Sequence, residues 1–120
     1  MFKVVGLGKR KPGMSFEDFV DYYKTRHSKL GDRVMKRVGA NRYARRFIRP
    51  LPNQYTGEMQ ESDFDVIIEF WYETKADFER CFEISTGELR KEFEEDEENF
   101  FDRENSRLML VVEEDESDLS

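Results

Sequence analysis

The pattern of apolar and polar residues along the chain predicts four strands and two helical regions. Short apolar runs rich in β-branched residues mark a first strand at residues 2–7 and a last strand at residues 107–112. Residues 63–72 give the strongest strand signal, because β-branched and aromatic side chains fill them almost continuously. Residues 40–49 alternate polar and apolar positions before Pro50, which favours an edge strand.

Helical spacing is clearest between the first two strands, where we expect a helix to begin near Ser15. Pro12 and Gly13 break the chain before this residue, and Asp18 follows three residues later, as in a capping box. The apolar stripe of the helix repeats at steps of three, four and seven and consists of Phe16, Phe19, Val20, Tyr23 and Leu30. His27, the only histidine, falls on the same stripe, so we predict that its side chain points inward.

Weaker signals complete the helical regions. A second short helix is predicted at residues 28–38 and is ended by Gly39. After the strongest strand, Thr74 is typical of an N-cap, and Ser85 is placed to cap a continuation of that helix. The acidic run at residues 94–98 is typical of a solvated helix surface.

The order strand, helix, strand, strand, helix, strand indicates an α+β fold of the ferredoxin-like βαββαβ type. In this fold an antiparallel four-stranded sheet carries its helices on one face. The other face is expected to be polar in a monomer, yet residues 66–68 and 70–72 are apolar at both parities, as are Val4 and Val5. We therefore predict a homodimer that packs through the open sheet faces.

Length and composition narrow the class of protein. With 120 residues the chain has room for one domain, which we place at residues 1–112 and which is followed by an acidic tail at residues 113–120. A single cysteine, Cys81, and a single histidine exclude an internal disulfide and a Cys/His metal cluster. Neither a signal peptide nor an apolar run of about 20 residues is present, so we expect a soluble, cytoplasmic protein without a membrane partner.

Charge is distributed unevenly along the chain. Residues 1–49 hold 14 Lys or Arg against 4 acidic residues, and the remainder holds 6 against 23, for a net charge of -7. A basic half can indicate nucleic-acid binding, but no binding motif accompanies it and the acidic total would repel a polyanion. We therefore expect no nucleic-acid partner and predict that the two halves neutralise each other.

An ordered set of segments carries a family resemblance. The set comprises residues 10–15, Phe19, Tyr23, His27, residues 65–72 and residues 96–102. It resembles the EthD-domain family of the dimeric α/β-barrel superfamily over residues 2–112. The resemblance implies a small-molecule cavity between helices and sheet. It also implies cofactor-independent chemistry on aromatic, lactone or polyketide-like molecules, although some similar proteins have no assigned activity.

His27 admits two interpretations. A lone histidine on an apolar helix face is often a hydrogen-bonded core residue. The resemblance implies instead that His27 lines the cavity, where an imidazole can move protons near neutral pH. We favour the second interpretation and predict His27 as the catalytic acid/base, with Tyr23, one turn earlier, and Tyr43 as possible partners.

Five further residues are predicted to bind substrate. Arg45 would hold a substrate carboxylate or oxyanion, unless it forms a structural salt bridge. Asp65 shares a strand face with Trp71 and could orient His27. Phe16, Phe19 and Trp71 would form apolar walls, with core packing as the alternative for Trp71.

The predicted function is that of a lyase acting on an aromatic or polyketide-like substrate, by decarboxylation, dehydration or a related elimination. No metal or organic cofactor is expected. An isomerase or cyclase using the same proton shuttle, an oxygenase that uses the substrate's own anion, and a non-catalytic binding protein of the same fold are the alternatives. The sequence leaves open which face of the strands at residues 40–49 and 63–72 lines the cavity.

Overall fold

The fold consists of four strands and three helical segments in a computed structural model that describes residues 1–120. The strands are β1 (Phe2–Gly8), β2 (Arg42–Phe47), β3 (Val66–Tyr72) and β4 (Arg107–Leu110). The first helical segment runs without a break through α1 (Phe16–Tyr22), a π-helical turn (Tyr23–His27) and α2 (Ser28–Arg37); the others are α3 (Lys75–Thr86) and α4 (Arg90–Glu98). None of these helices combines the length and the apolar composition needed to cross a membrane.

Side-chain caps begin two of the helices, α1 and α3. The Ser15 hydroxyl accepts a hydrogen bond from the Asp18 amide at 3.1 Å, and Thr74 caps α3 in the same way. The predicted cap at Ser85 is wrong. Ser85 lies within α3, where its hydroxyl donates to the carbonyl of Cys81 one turn earlier, and α4 begins only at Arg90.

The strand order in the sheet is β2-β3-β1-β4, and all neighbouring pairs are antiparallel. Two strands that are distant in sequence, β1 and β3, therefore form the centre, as the apolar composition of β3 predicts. With the helices on one face, this order is that of a ferredoxin-like fold and confirms the predicted fold class.

Burial alternates along the central strands and identifies the face that meets the helices. On β1 the buried residues are Val4, Gly6 and Gly8, and on β3 they are Val66, Ile68 and Tyr72. Two apolar clusters cover this face, one built on Val34, Met35, Val38 and Ile84 and the other on Phe19, Tyr23 and Phe100. Each large side chain buried in this way stabilises the fold by about 1.5–3 kcal/mol.

The opposite face of the sheet is open in the single chain. Its side chains alternate with the buried ones, so Val5 and Leu7 of β1 lie beside Ile67 and Trp71 of β3, all half-buried. The sequence predicts that both faces of β3 are covered, and the chain alone covers only one. The predicted second chain that would cover the other face stays a prediction.

Charges of the two halves meet at the surface. Arg37 forms a bidentate pair with Glu88, and Arg42 and Arg46 both pair with Glu69. These pairs join the basic first half to the acidic second half, as the charge distribution predicts. The arginine side chains of these pairs reach into solvent, which screens the attraction, so the pairs contribute little to stability.

Candidate active site

A cavity of about 380 Å³ lies between the helices and the helix-facing side of the sheet. Its volume is in the range of small-molecule pockets in proteins. Most of its wall is apolar and aromatic, and its polar lining includes His27, Tyr23, Tyr43, Tyr72, Glu97 and Arg103. The cavity can therefore enclose a largely apolar molecule and offers it a few polar groups.

The π-helical turn places the histidine in this cavity. The turn begins at Tyr23 and ends at His27, and hydrogen bonds in such a turn span one residue more than in an α-helix. Both side chains line the cavity, with their ring centres 4.8 Å apart in an edge-to-face arrangement. Such turns are rare and often occur at functional sites.

A carboxylate from α4 holds the imidazole of His27. The His27 Nδ1 atom lies 2.6 Å from Oδ2 of Asp96, and both side chains are mostly buried. The other oxygen, Oδ1, accepts a hydrogen bond from the hydroxyl of Tyr22 at 2.8 Å. Because an ionised carboxylate can only accept, Nδ1 of His27 carries a hydrogen, and Nε2 is left as the nitrogen that can exchange a proton with a ligand.

Asp96 is kept ionised by this arrangement. Burial is the largest single influence on its pKa and acts to raise it, but hydrogen bonds from His27 and Tyr22 and the positive charges of His27 and Arg26 outweigh that influence. The net result is a pKa below the ordinary value of an aspartate. At neutral pH the carboxylate is therefore available to orient the imidazole and to stabilise its protonated form.

Two tyrosines line the cavity together with the histidine, Tyr23 buried and Tyr43 partly buried. Burial raises the pKa of Tyr23 well above its ordinary value, and the Tyr43 hydroxyl next to it raises it further. Burial also raises the pKa of Tyr43 to about 12, although the positive charge of Arg45 opposes the rise. Both phenols consequently stay protonated at neutral pH and can act as hydrogen-bond donors.

A glycine in α2 makes room for Tyr43. A Cβ atom added at Gly31 would lie 2.8 Å from Cζ of the Tyr43 ring, far inside van der Waals contact. Gly31 is fully buried in the middle of the helix, where glycine is otherwise unfavourable by about 1 kcal/mol relative to alanine. Its presence is explained by the close approach of the tyrosine that lines the cavity.

Aromatic rings surround the imidazole on its other sides. Phe101 is nearly parallel to the His27 ring, with an interplanar angle of 14°, and the ring centre of Phe100 lies 4.9 Å away. A Cβ atom at Gly8 would approach the Phe101 ring to 2.7 Å, so this glycine permits the ring to pack over β1. The rings that pack on His27 are therefore aromatic, and Asp96 is its carboxylate partner.

Glu97 is a second carboxyl group in the cavity wall. Burial raises its pKa, the positive charges of His27 and Arg103 act to lower it, and the negative charges of Asp96 and Glu94 raise it further. The net effect is a pKa above that of an ordinary glutamate. Two consecutive acidic residues on α4 thus have opposite tendencies to ionise.

The structure brings the three residues that were predicted to be catalytic into one cavity. His27, Tyr23 and Tyr43 all line it. Arg45 lies on the same face of β2 as Tyr43, with its guanidinium 4.7 Å from the centre of the tyrosine ring. It is not part of the cavity wall, and one of its nitrogens, Nη1, is buried without a hydrogen-bond partner.

The other four residues predicted to bind substrate lie outside the cavity. Asp65 and Trp71 are on the open side of the sheet, because the parity of β3 that faces the helices is that of Val66. There Asp65 accepts a hydrogen bond from the Arg10 amide at 2.8 Å. Trp71 lies between two cations, with Lys3 Nζ at 4.1 Å from its ring centre and Arg42 on the neighbouring strand.

Phe16 and Phe19, predicted to form apolar walls of the cavity, do not line it, because both lie on the early part of α1. Phe19 is completely buried and packs behind Tyr23, so it supports the wall without lining it. Phe16 is half-buried near the surface, where the guanidinium of Arg49 lies 4.6 Å from its ring centre. A helical stripe turns gradually along the helix axis, and only its last part faces the cavity.

Sequence reasoning missed Asp96 and Glu97. Both belong to the run at residues 94–98 that was interpreted as a solvated surface, and that interpretation is wrong for these two. Their spacing from apolar residues indicates the inward face of a helix. Asp96 and Glu97 lie three and four residues after Phe93, and four and three residues before Phe100. They therefore lie on the inward face of α4, whereas Glu95 and Glu98 are exposed.

No cluster of three or more His, Cys, Asp or Glu side chains is arranged to hold a metal ion. The groups in the cavity wall that can take part in chemistry include the His27 imidazole, the Glu97 carboxyl and the tyrosine phenols; the Cys81 thiol and the guanidinium groups of Arg103 and Arg107 also line it. Together they can bind, orient and exchange protons with an organic ligand.

Comparison with known proteins places this architecture in a family. A structure of an ethyl tert-butyl ether D (EthD) family protein from Bacillus halodurans is similar, with a TM-score of 0.63 and 19% sequence identity. The similarity covers 95% of this chain and 100% of that one, and at this identity it shows a shared fold. No curated protein matches the chain. The model of the EthD domain matches residues 11–104, which include both His27 and Asp96, and the chain therefore belongs to the EthD-domain family.

Proposed function

We propose that this protein is a small-molecule enzyme in which His27, oriented by Asp96, transfers protons to and from an aromatic or polyketide-like carbonyl compound, and that its reaction is a lyase reaction. The observation that carries the proposal is that His27 lines an apolar cavity while its Nδ1 atom lies 2.6 Å from the Asp96 carboxylate. Membership in the EthD-domain family agrees with a small-molecule-binding or enzymatic role.

The chemistry follows from the protonation states. With Asp96 on Nδ1, Nε2 of neutral His27 accepts a proton from the ligand, and the imidazolium so formed is stabilised by the carboxylate. The Tyr43 hydroxyl, protonated at neutral pH, donates a hydrogen bond to the oxyanion that develops as the proton leaves. His27 then returns the proton to a leaving group or to a carbon atom.

The composition of the wall supports a flat, apolar substrate. Aromatic side chains from α3, α4 and β3 line the cavity, including Phe70, Phe78 and Phe93. Such walls favour aromatic rings through edge-to-face and offset contacts, and they exclude water from the proton-transfer groups. Polar groups are few, so the substrate is expected to carry its oxygen atoms near His27 and Tyr43.

The same cavity also supports a role in binding without turnover. The observation that favours this second function is that apolar residues form most of the wall, which is sufficient to hold an apolar ligand without any proton transfer. In that case His27 and Asp96 would fix the orientation of the ligand by hydrogen bonds. Isomerisation or ring closure would use the same proton transfer as a lyase reaction and differs in conserving the mass of the substrate.

We also propose that the protein works as a homodimer joined through the open sheet faces. Val5, Leu7, Ile67 and Trp71 are apolar residues of that face and are only half-buried in a single chain. Glu69 lies on the same face between Ile67 and Trp71, where Arg42 and Arg46 neutralise its charge. A second copy would remove the apolar residues from water at about 25 cal/mol per Å² of buried apolar surface. Pairing there would leave the helix side, with its cavity, accessible to ligand.

A direct test uses benzoylacetate, an aromatic β-keto acid, with product analysis by mass spectrometry. We expect the protein to accelerate loss of carbon dioxide and the His27→Ala variant to lose about 10²-fold or more of that activity while remaining folded. A His27→Ala variant as active as the original would contradict the assignment of His27. Binding of benzoylacetate without any change in its mass would favour the binding role.

A further inference from the structure

Glu97 is the carboxyl group in the cavity wall that the proposed mechanism does not use. It follows Asp96 directly on α4, yet no hydrogen bond contributes to its pKa, whereas Asp96 receives hydrogen bonds from His27 and Tyr22. The Glu97 side chain is partly buried and lines the cavity. The side chain of Glu97 is therefore free to contact whatever occupies the cavity.

The charged groups that face Glu97 come from three parts of the chain. His27 approaches from the π-helical turn, Arg103 from the segment after α4, and Asp96 and Glu94 from α4 itself. Arg107 of β4 also lines the cavity. Burial has the largest effect on the pKa of Glu97 and raises it, so the neutral carboxylic acid persists to higher pH than in an exposed glutamate.

We propose that Glu97 is a second proton-transfer group of this cavity, which protonates the carbonyl oxygen of an enolisable ketone while His27 removes a proton from the neighbouring carbon. This inference rests on the proposed function and specifies its substrate class, a ketone or β-dicarbonyl compound with an acidic C–H bond beside the carbonyl. The two groups share one cavity, and their charges influence each other.

The step is balanced in protons and charge. The C–H bond of the substrate breaks and an N–H bond forms at Nε2 of His27, while the O–H bond of Glu97 breaks and an O–H bond forms at the carbonyl oxygen. A neutral ketone becomes a neutral enol, and the protein changes from neutral imidazole and carboxylic acid to imidazolium and carboxylate. The resulting opposite charges attract each other within the apolar cavity, which lowers the barrier relative to a free enolate.

The first test needs no ligand. Carboxyl carbon NMR of the whole protein follows Glu97 and the exposed Glu98 through a pH titration, and the same titration is repeated on the His27→Gln variant. We expect Glu97 to titrate at higher pH than Glu98, and its midpoint to move further upward when the His27 charge is removed. A Glu97 midpoint that equals that of Glu98, or one that ignores the loss of His27, would overturn the inference.

The second test uses 2-tetralone, a bicyclic aromatic ketone, in deuterium oxide, with NMR detection of hydrogen exchange beside the carbonyl. We expect the protein to accelerate this exchange, and Glu97→Gln to reduce the acceleration by about 10²-fold. The matched control is Glu98→Gln, which changes an exposed glutamate of the same helix and should leave the rate unchanged. Circular dichroism establishes that each variant is folded.

The outcomes separate the two proposals. If His27→Gln abolishes exchange and Glu97→Gln does not, the proposed role of His27 stands and the inference about Glu97 is overturned. If neither substitution reduces the exchange, both are overturned. No acceleration of exchange by the unaltered protein would overturn the assigned substrate class, and loss of exchange in both variants but not in Glu98→Gln would support the full inference.

Discussion

His27 and Asp96 are 69 positions apart in the chain, yet Nδ1 of the histidine lies 2.6 Å from Oδ2 of the aspartate. The contact joins the π-helical turn to α4. It defines the tautomer of the only histidine and keeps a carboxylate ionised in a mostly buried place. Stability in acid and proton transfer by His27 are therefore both expected to depend on this pair of side chains.

The first prediction concerns stability in acid. The folded-state pKa of Asp96 is lowered, so its contribution to the free energy of unfolding is fully present above the ordinary value of 3.8 and is lost as the pH falls below it. Asp96→Asn should therefore destabilise the protein at neutral pH but leave it no less stable than the original near pH 2. Chemical denaturation at a series of pH values measures this, and an equal loss at every pH would contradict it.

The second prediction concerns Glu97, whose shift has the opposite sign. Because the pKa is raised in the folded state, the fold binds this proton more tightly than the unfolded chain, and stability falls as the pH rises from the ordinary value of 4.5 through the raised one. Glu97→Gln removes that loss, so the variant should unfold at a higher temperature than the original at pH 7. Its matched control, Glu98→Gln, should leave the difference between pH 4 and pH 7 unchanged.

The third prediction concerns the glycine beneath Tyr43. Gly31→Ala gains about 1 kcal/mol of helix propensity, but it forces the Tyr43 ring to move, and overpacking of this kind costs about 1–3 kcal/mol. We expect a net loss of stability and a weaker ligand site. In a Tyr43→Ala background no ring stands in the way, so Gly31→Ala should increase the free energy of unfolding instead of decreasing it. A loss of stability of equal size in that background would rule out the steric explanation.

The fourth prediction tests the proposed dimer. Leu7 and Ile67 are cross-strand neighbours at the centre of the open sheet face, so Ile67→Glu would place a charge inside a sheet-to-sheet interface. We expect analytical ultracentrifugation to give a dimer for the original protein and a folded monomer for the variant. Leu51→Glu, which changes an exposed loop residue, provides the control. A monomer at all concentrations of the original protein would contradict the proposal.

Much of the fold was predictable because its signals are local. Ser15 and Thr74 cap their helices as the sequence indicates, and the apolar composition of β3 identifies a central strand. The strand order follows from general rules for connecting such elements. The capping role assigned to Ser85 failed for a local reason as well, since a serine inside a helix can bond to the preceding turn instead of starting a new helix.

The candidate site was only half predictable. Periodicity placed His27 and Tyr23 on an inward stripe, and family resemblance placed that stripe beside a cavity. Strand parity alone could not tell which face of β3 meets the helices, because both faces are apolar, and Asp65 and Trp71 were consequently assigned to the wrong side. For Tyr43 and Arg45 the strand period predicts that the two share a face of β2, and it does not say which face meets the helices.

The sequence by itself thus determined the elements, their caps, the βαββαβ order and the inward direction of the histidine, all of which depend on residues within a turn or a strand of one another. Only the tertiary structure decided that Asp96 is the partner of His27 and that Glu97 remains unpaired beside it. The physical reason is that the π-helical turn and α4 are far apart in the chain and meet only because the sheet carries both on the same face. In the sequence Asp96 and Glu97 look like their acidic neighbours. They differ in the folded protein, where the partners of Asp96 lower its pKa and burial raises the pKa of Glu97.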